Sequence, residues 1–272
     1  PWLVALLDRD RREPEARRHL ALPFLATQPA QRLPYAAFLP WDEALSVLGP
    51  FIRNPDADLR AAALAALIGA ARFQRDRLPD LLAMIQAHGN EQDPVRGAML
   101  GGLGELPPGM WRAAHLEALG AILRQALDAP DLSAATAGAA ERLVVRLLPL
   151  HPAWSARWLA TLVRERGQVS LFDLERRLSD ADVRRIAPDL LPVLRAWETR
   201  EREGQLLTAA QSLGRRLRVF DELVDLLERV LKETRSHWIA ERALGIIAQQ
   251  RHDRLAILIP ALIRADPSWV TR

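Results

Sequence analysis

Two stretches of the chain repeat one order of apolar, basic and small positions. Residues 59–67 read Leu-Arg-Ala-Ala-Ala-Leu-Ala-Ala-Leu, and residues 95–103 read Val-Arg-Gly-Ala-Met-Leu-Gly-Gly-Leu. The copies lie about 36 residues apart, and each follows a turn rich in Pro and Asx residues, which favours a helix start. The spacing of the apolar positions predicts amphipathic helices that recur with this period.

A second group of similar apolar stretches belongs to the predicted second helix of each pair. Residues 78–82 read Leu-Pro-Asp-Leu-Leu, and residues 187–191 read Ala-Pro-Asp-Leu-Leu. Pro23, Pro192 and Pro260 are expected to kink their helices or to force local adjustments. Turn signals divide the chain into seven predicted helix pairs: 14–28 with 41–53, 56–73 with 76–88, 92–105 with 109–128, 132–149 with 152–166, 170–178 with 181–200, 203–218 with 220–234, and 237–250 with 252–265.

The motif Asp93-Pro94-Val95-Arg96, followed by Ala98, Leu100 and Leu103, resembles the first helix of bacterial HEAT repeats. The resemblance is strongest over 54–106 and becomes weaker towards the C-terminus. It implies an all-α fold, a right-handed α-solenoid of about seven antiparallel helix pairs of the HEAT/armadillo type. Residues 1–272 are then one continuous solenoid, with 1–53 an irregular N-terminal repeat or cap and 54–272 the clearer repeats.

The repeat has a physical explanation in stacking. One helix pair cannot bury its apolar face alone, so neighbouring pairs must cover each other. We expect Arg60 and Arg96 to bridge to acidic or carbonyl groups of the adjacent repeat, and Asp93 and Pro94 to mark the same repeat position. Residues 266–272 resemble the start of another repeat, which together with the absent initiator Met suggests a piece of a longer chain.

Several classes of site are excluded or disfavoured by composition. The absence of Cys excludes disulfides and thiolate ligands, and fits a reducing, cytoplasmic location. The six His residues show no metal-ligand spacing, and no nucleophile or phosphate-loop motif is present. No apolar run reaches the length of a membrane span. The sequence thus predicts no enzyme, no cofactor, no metal, no membrane and no small-molecule substrate.

The sequence pI of 10.3 overstates the positive charge. The formal net charge is only +3, and Lys232 is the single Lys among Arg residues that titrate at very high pH. Acidic residues alternate with the basic clusters, as on a solvated surface. Binding of nucleic acid, which would want a stripe of uncompensated positive charge, is therefore disfavoured but remains open.

Eight Trp residues are the remaining unusual feature. Five stand near predicted helix starts, where an indole would cover a turn between repeats: Trp41, Trp111, Trp154, Trp238 and Trp269. Trp158 and Trp197 lie within second helices, which would line the concave face, and are predicted to contact a partner together with Arg157, Arg164 and Arg195.

The predicted function is a protein-interaction scaffold. It would bind a protein partner, or another domain of the same polypeptide, on its concave helical surface. HEAT-like DNA glycosylases use a basic concave groove with Trp and a carboxylate, so a DNA-binding protein or alkylpurine-type DNA glycosylase is one alternative. A regulatory arm of a larger signalling or defence ATPase is another.

Overall fold

The computed structural model describes residues 1–199 and 201–265. All regular elements within these ranges are helices and none is a strand, so the all-α prediction is confirmed for the described residues. The chain forms two compact units, Pro1–Arg146 and Leu147–Arg272. Each unit is described separately below.

The first unit begins with short helices and continues with longer ones. Its helices are α1 Trp2–Ala5, α2 Arg9–Leu20, α3 Pro23–Ala26, α4 Pro29–Arg32, α5 Trp41–Ile52, α6 Ala57–Ala71, α7 Leu78–Ala87, α8 Asp93–Glu105, α9 Leu116–Asp128 and α10 Ala134–Leu147, which ends at the boundary. Short 3₁₀ turns cover Leu33–Phe38, Arg75–Arg77, Pro108–Met110 and Ala113–His115.

Helices of this unit contact the next helix along the chain and also the helix after that. Helix α6 lies against α5 and α8, and α7 lies against α9. The core of α6 includes Leu64, Leu67 and Ile68, all fully buried. A side chain added at Gly102 of α8 would come within 3.1 Å of Ile68, so the absence of a Cβ permits the close approach of the two helices.

The second unit contains α11 Pro152–Arg166, α12 Leu174–Arg177, α13 Asp180–Ala196, α14 Glu203–Leu213, α15 Asp221–Glu233, α16 His237–Gln250 and α17 His252–Ala265. Here α11 lies against α13, α13 against α15, and α14 against α16. In α15 the apolar positions recur at helical spacing, and Leu223, Leu227 and Val230 are buried. Contacts again join elements that alternate along the chain.

Side-chain hydrogen bonds in both units join residues about 33 to 36 positions apart in the chain. Gln74 accepts from the backbone N–H of Trp41, 33 residues earlier, at 2.8 Å. The amide of Gln205 bonds to both the N–H and the C=O of Val169, 36 residues earlier, at 2.9 and 2.8 Å. These bonds hold the ends of neighbouring elements at a fixed offset.

Several predicted helix bounds agree closely with the structure. The pairs 56–73 with 76–88 and 237–250 with 252–265 correspond to α6, α7, α16 and α17. Helices α13 and α17 continue past Pro192 and Pro260. The predicted end of a helix at Arg200, and the predicted repeat start at 266–272 with Trp269, lie outside the described residues.

Other predicted bounds are wrong for identifiable reasons. The predicted helix 14–28 is replaced by α2 and α3, because Pro23 begins a new helix rather than kinking one. The predicted helix 170–178 shrinks to α12, since Leu171 and Asp173 have φ of 49° and 69°. Predicted helix 203–218 ends at Leu213, where Gly214 has a φ of 48°.

Predicted helix 109–128 also begins later than expected. Two 3₁₀ turns, Pro108–Met110 and Ala113–His115, occupy its first part, and α9 starts only at Leu116. Met110 and Trp111 are 2% and 4% exposed. Their burial holds the chain in these tight turns ahead of the helix.

Ser155 provides a test of the core of the second unit. Its side chain is fully buried in α11, and its hydroxyl has no hydrogen-bond partner among the described residues. Ser155→Ala should therefore raise the free energy of unfolding by about 1 kcal/mol, since an orphaned buried hydroxyl costs about 1–3 kcal/mol. Urea unfolding followed by circular dichroism measures the change.

The matched control is the same substitution at Ser179. The Ser179 hydroxyl accepts from the N–H of Asp182 at 3.1 Å and begins α13. Ser179→Ala should lower the free energy of unfolding by about 1 kcal/mol. A destabilised Ser155→Ala protein would show that this hydroxyl has a partner in solution.

Candidate functional site

Trp197 lies in the core rather than on a binding face. It follows the last residue of α13 and is 1% exposed, beside the buried side chains of Val193 and Leu194. A side chain this deeply buried cannot present its ring to a partner without local unfolding. The expectation that Trp197 contacts a partner is corrected: its indole serves packing.

The other predicted contact residues are more accessible than Trp197. Trp158 is half-buried, with its ring centroid 6.1 Å from that of Trp154. Arg157, Arg164 and Arg195 are exposed. The Arg164 guanidinium lies 3.4 Å from a carboxylate oxygen of its neighbour Glu165.

The first repeat-marking residue, Arg60, bridges two turns. Its Nε donates to the carboxylate of Glu91, 31 residues later, at 3.0 and 3.1 Å. Its Nη1 donates to the carbonyls of Asn54 and Pro55. Arg60 and Glu91 are largely buried, so this pair is screened little by solvent.

Arg96 makes the equivalent bridge one repeat later. It is 5% exposed, and it donates to the carbonyl of Glu91 and to the carboxylate of Asp131, 35 residues further on. The hydrogen bond from Arg96 lowers the pKa of Asp131. Pro94 is in the first turn of α8, where its missing N–H leaves no helical bond unmade. These residues therefore join neighbouring elements rather than bind a ligand.

Asp93 joins the start of α8 to the start of α10. One carboxylate oxygen accepts from the N–H of Ser133 at 3.0 Å, and its backbone carbonyl accepts from Thr136 at 3.2 Å. Burial acts to raise the pKa of Asp93, but the hydrogen bonds from Ser133 and Thr136 outweigh it and the pKa is lowered. The ionised carboxylate is thus the form that the fold stabilises.

The densest basic cluster of the second unit is compensated by acids. Arg216 and Arg218 both donate to Asp180, at 2.9 and 2.7 Å, and Arg215 lies 3.1 Å from Glu175. The hydrogen bonds from Arg218 and Arg216 lower the pKa of Asp180. Little unpaired positive charge is left there for a phosphate backbone.

An aromatic side chain that the sequence assigned to packing is exposed instead. Trp238, near the start of α16, is 58% exposed, and the Arg242 guanidinium lies 5.1 Å from its ring centre. Arg242 donates to Gln211 and to the hydroxyl of Thr208, both on α14. We call Trp238, Arg242, Gln211 and Thr208 the Trp238 surface.

Arg242 has an unusual electrostatic position. Burial lowers its pKa, and among the described residues it has no carboxylate partner. Its contacts are instead two neutral oxygens and an indole face, which fix the orientation of both long side chains. A partly buried guanidinium without a carboxylate partner can form a charge-assisted hydrogen bond with a carboxylate of another molecule.

The sequence singled out Trp238 as a Trp near a helix start but did not predict that its ring is exposed. Trp41 and Trp238 both stand in the first turn of their helices, yet Trp41 is 3% exposed. Trp41 is the first residue of α5, whereas Trp238 is the second of α16, and one residue rotates a side chain by about 100° around the axis. Which rotation faces the core depends on neighbouring helices, which the sequence does not specify.

Two further findings concern the described residues as a group. Within 1–199 and 201–265, no three His, Asp or Glu side chains are placed to hold a metal ion. No helix in those ranges is long and apolar enough to cross a bilayer.

Comparison with known proteins adds no relative. No family model matches the chain, and no curated protein and no solved structure matches it significantly. The geometry of the described residues is therefore the sole basis for a function.

Proposed function

We propose that the chain is a HEAT-like α-solenoid that binds a protein partner and catalyses no reaction. The repeat architecture is supported by side-chain bonds in both units between residues separated by about one repeat length. Arg60 with Glu91, Val169 with Gln205, and Arg229 with Glu198 are separated by 31, 36 and 31 residues. A stack of helix pairs places equivalent residues at such separations.

The Trp238 surface is the observation that carries the binding function. Trp and Arg are the residue types enriched where interfaces gain most of their affinity. Here Arg242 fixes the exposed indole, so little side-chain entropy remains to be lost on binding. The partner would supply an apolar pocket for the indole and a carboxylate for Arg242.

Photo-cross-linking tests this surface directly. A benzophenone amino acid at Glu241, which is exposed beside Trp238, should give a discrete adduct in cells that express the full chain. Adding Trp238→Ala should reduce the adduct at least tenfold, because hot-spot truncations cost about 2 kcal/mol or more. Thermal melting should show that the variant remains folded.

Trp2→Ala is the matched control, since Trp2 is also an exposed indole, at 72%. It should leave the adduct at position 241 unchanged. An adduct that survives Trp238→Ala would contradict the proposed surface. Retention of duplex DNA that weakens steeply with salt would instead favour the DNA-binding alternative.

A further inference from the structure

A cavity of about 340 Å³ opens in the first unit, where the turn before α7 lies beside the turns before α9. Its lining includes Arg75, Arg112 and His115, with Pro79 and Met110 as apolar neighbours. Met110 is 2% exposed, so this wall of the cavity is anchored in the core.

The cavity has an excess of hydrogen-bond donors with positive charge. Arg75 and Arg112 are both exposed, and neither makes an ion pair with a carboxylate in the described part of the chain. Most arginines named above, such as Arg60, Arg96, Arg216 and Arg218, do have a carboxylate partner. Two arginines that have no carboxylate partner in the described part of the chain therefore line one cavity.

The acids near this turn are engaged elsewhere. Asp76 is the one carboxylate that lines the cavity, and its Oδ2 lies 3.8 Å from Arg77 Nε. Arg77 also lies 3.6 Å from Asp42 and 3.4 Å from Asp80. Arg77 thus lies within 4 Å of three carboxylates, whereas Arg75 and Arg112 have none within that distance among the described residues.

His115 is oriented by the backbone. Its Nδ1 accepts from the N–H of Arg112 at 3.2 Å, and its ring is held edge-on to Trp111 with the centroids 6.1 Å apart. With Nδ1 as the acceptor, the hydrogen of the neutral ring is on Nε2. The backbone of Arg112 and the Trp111 ring therefore orient the His115 ring in the wall of the cavity.

We propose that this cavity binds a small phosphomonoester through its phosphate group. Planar guanidinium groups match tetrahedral oxyanions with paired N–H donors, and two of them balance a dianion. The cavity is larger than a phosphate ion, and Pro79 and Met110 provide apolar surface for a short organic substituent. The site goes beyond protein binding and does not depend on the Trp238 surface, which is in the other unit.

Calorimetric titration of the full chain with inorganic phosphate and with O-phosphoserine tests the proposal. We expect saturable binding with a dissociation constant on the order of 1 mM. Ionic strength is held constant with chloride, so that general screening does not change. Serine is the control compound and should not bind.

The variant Arg75→Ala/Arg112→Ala should weaken phosphate binding at least tenfold. Its matched control, Arg11→Ala/Arg53→Ala, removes the same charge from two exposed arginines of the same unit that also lack a carboxylate partner in the described residues. The control should bind phosphate like the parent protein. Unchanged phosphate binding by Arg75→Ala/Arg112→Ala would overturn the site, and so would equal weakening of binding in both variants. Binding by the parent protein that does not saturate at a phosphate concentration about fifty times the expected dissociation constant would overturn it as well.

Discussion

Trp197→Ala is expected to lower the free energy of unfolding by about 3–5 kcal/mol. The indole is 1% exposed, so its removal leaves a large apolar cavity next to α13. Neighbouring side chains fill such a space only in part, because cores are packed at crystal density. Urea unfolding followed by circular dichroism measures the loss in the second unit.

Trp238→Ala is the control for this prediction. That substitution removes a 58% exposed indole and should change the free energy of unfolding by less than about 1 kcal/mol. If the proposed Trp238 surface binds a partner, binding should respond in the opposite order, because Trp238 is exposed and Trp197 is buried. Equal stability of the two variants would place the Trp197 ring outside the core.

Arg96→Ala is expected to destabilise the first unit by about 2–4 kcal/mol. The change removes donors from the Glu91 carbonyl and the Asp131 carboxylate, and leaves Asp93 without its cation. Removing one partner of a fully buried pair costs about 3–5 kcal/mol. Asp131 is half exposed, so water replaces part of its lost interaction and the expected cost is smaller.

A double-mutant cycle with Asp131→Ala isolates the pair. The two substitutions should couple by about 1–2 kcal/mol, because each removes the partner of the other. Arg53→Ala, at an exposed position, is the control and should change stability by less than about 0.5 kcal/mol. Unchanged melting of Arg96→Ala would exclude a bridging role for this residue.

The helix content follows from features that are local in the sequence. Asp56 and Ser236 start α6 and α16 by accepting hydrogen bonds from the next turn, and both residues are visible as capping signals. The error at 170–178 arose because Leu171 is not a residue type that indicates positive φ, although Asp173 is one that tolerates it. Long-range packing imposes that backbone, with the Gln205 amide holding Val169.

The candidate surface was less accessible to prediction than the helices. Residue type alone singled out Trp as an anchor, yet burial divides Trp197 from Trp238 according to which face neighbouring helices cover. The same holds for charge: Arg75 and Arg216 look alike in the sequence, and only the structure shows that Arg216 has a carboxylate partner and that Arg75 has none among the described residues. The fold therefore determines whether an arginine has a carboxylate partner.

The short sequence separation of the bonds between different elements also bears on how the chain folds. Bonds such as Trp41 to Gln74 and Arg242 to Gln211 close loops of only 33 and 31 residues. Short loops cost little closure entropy, and a chain with local contacts folds quickly. Folding can then begin within either unit and spread from one helix to the next, and amide exchange should be fastest at the outermost helices of each unit.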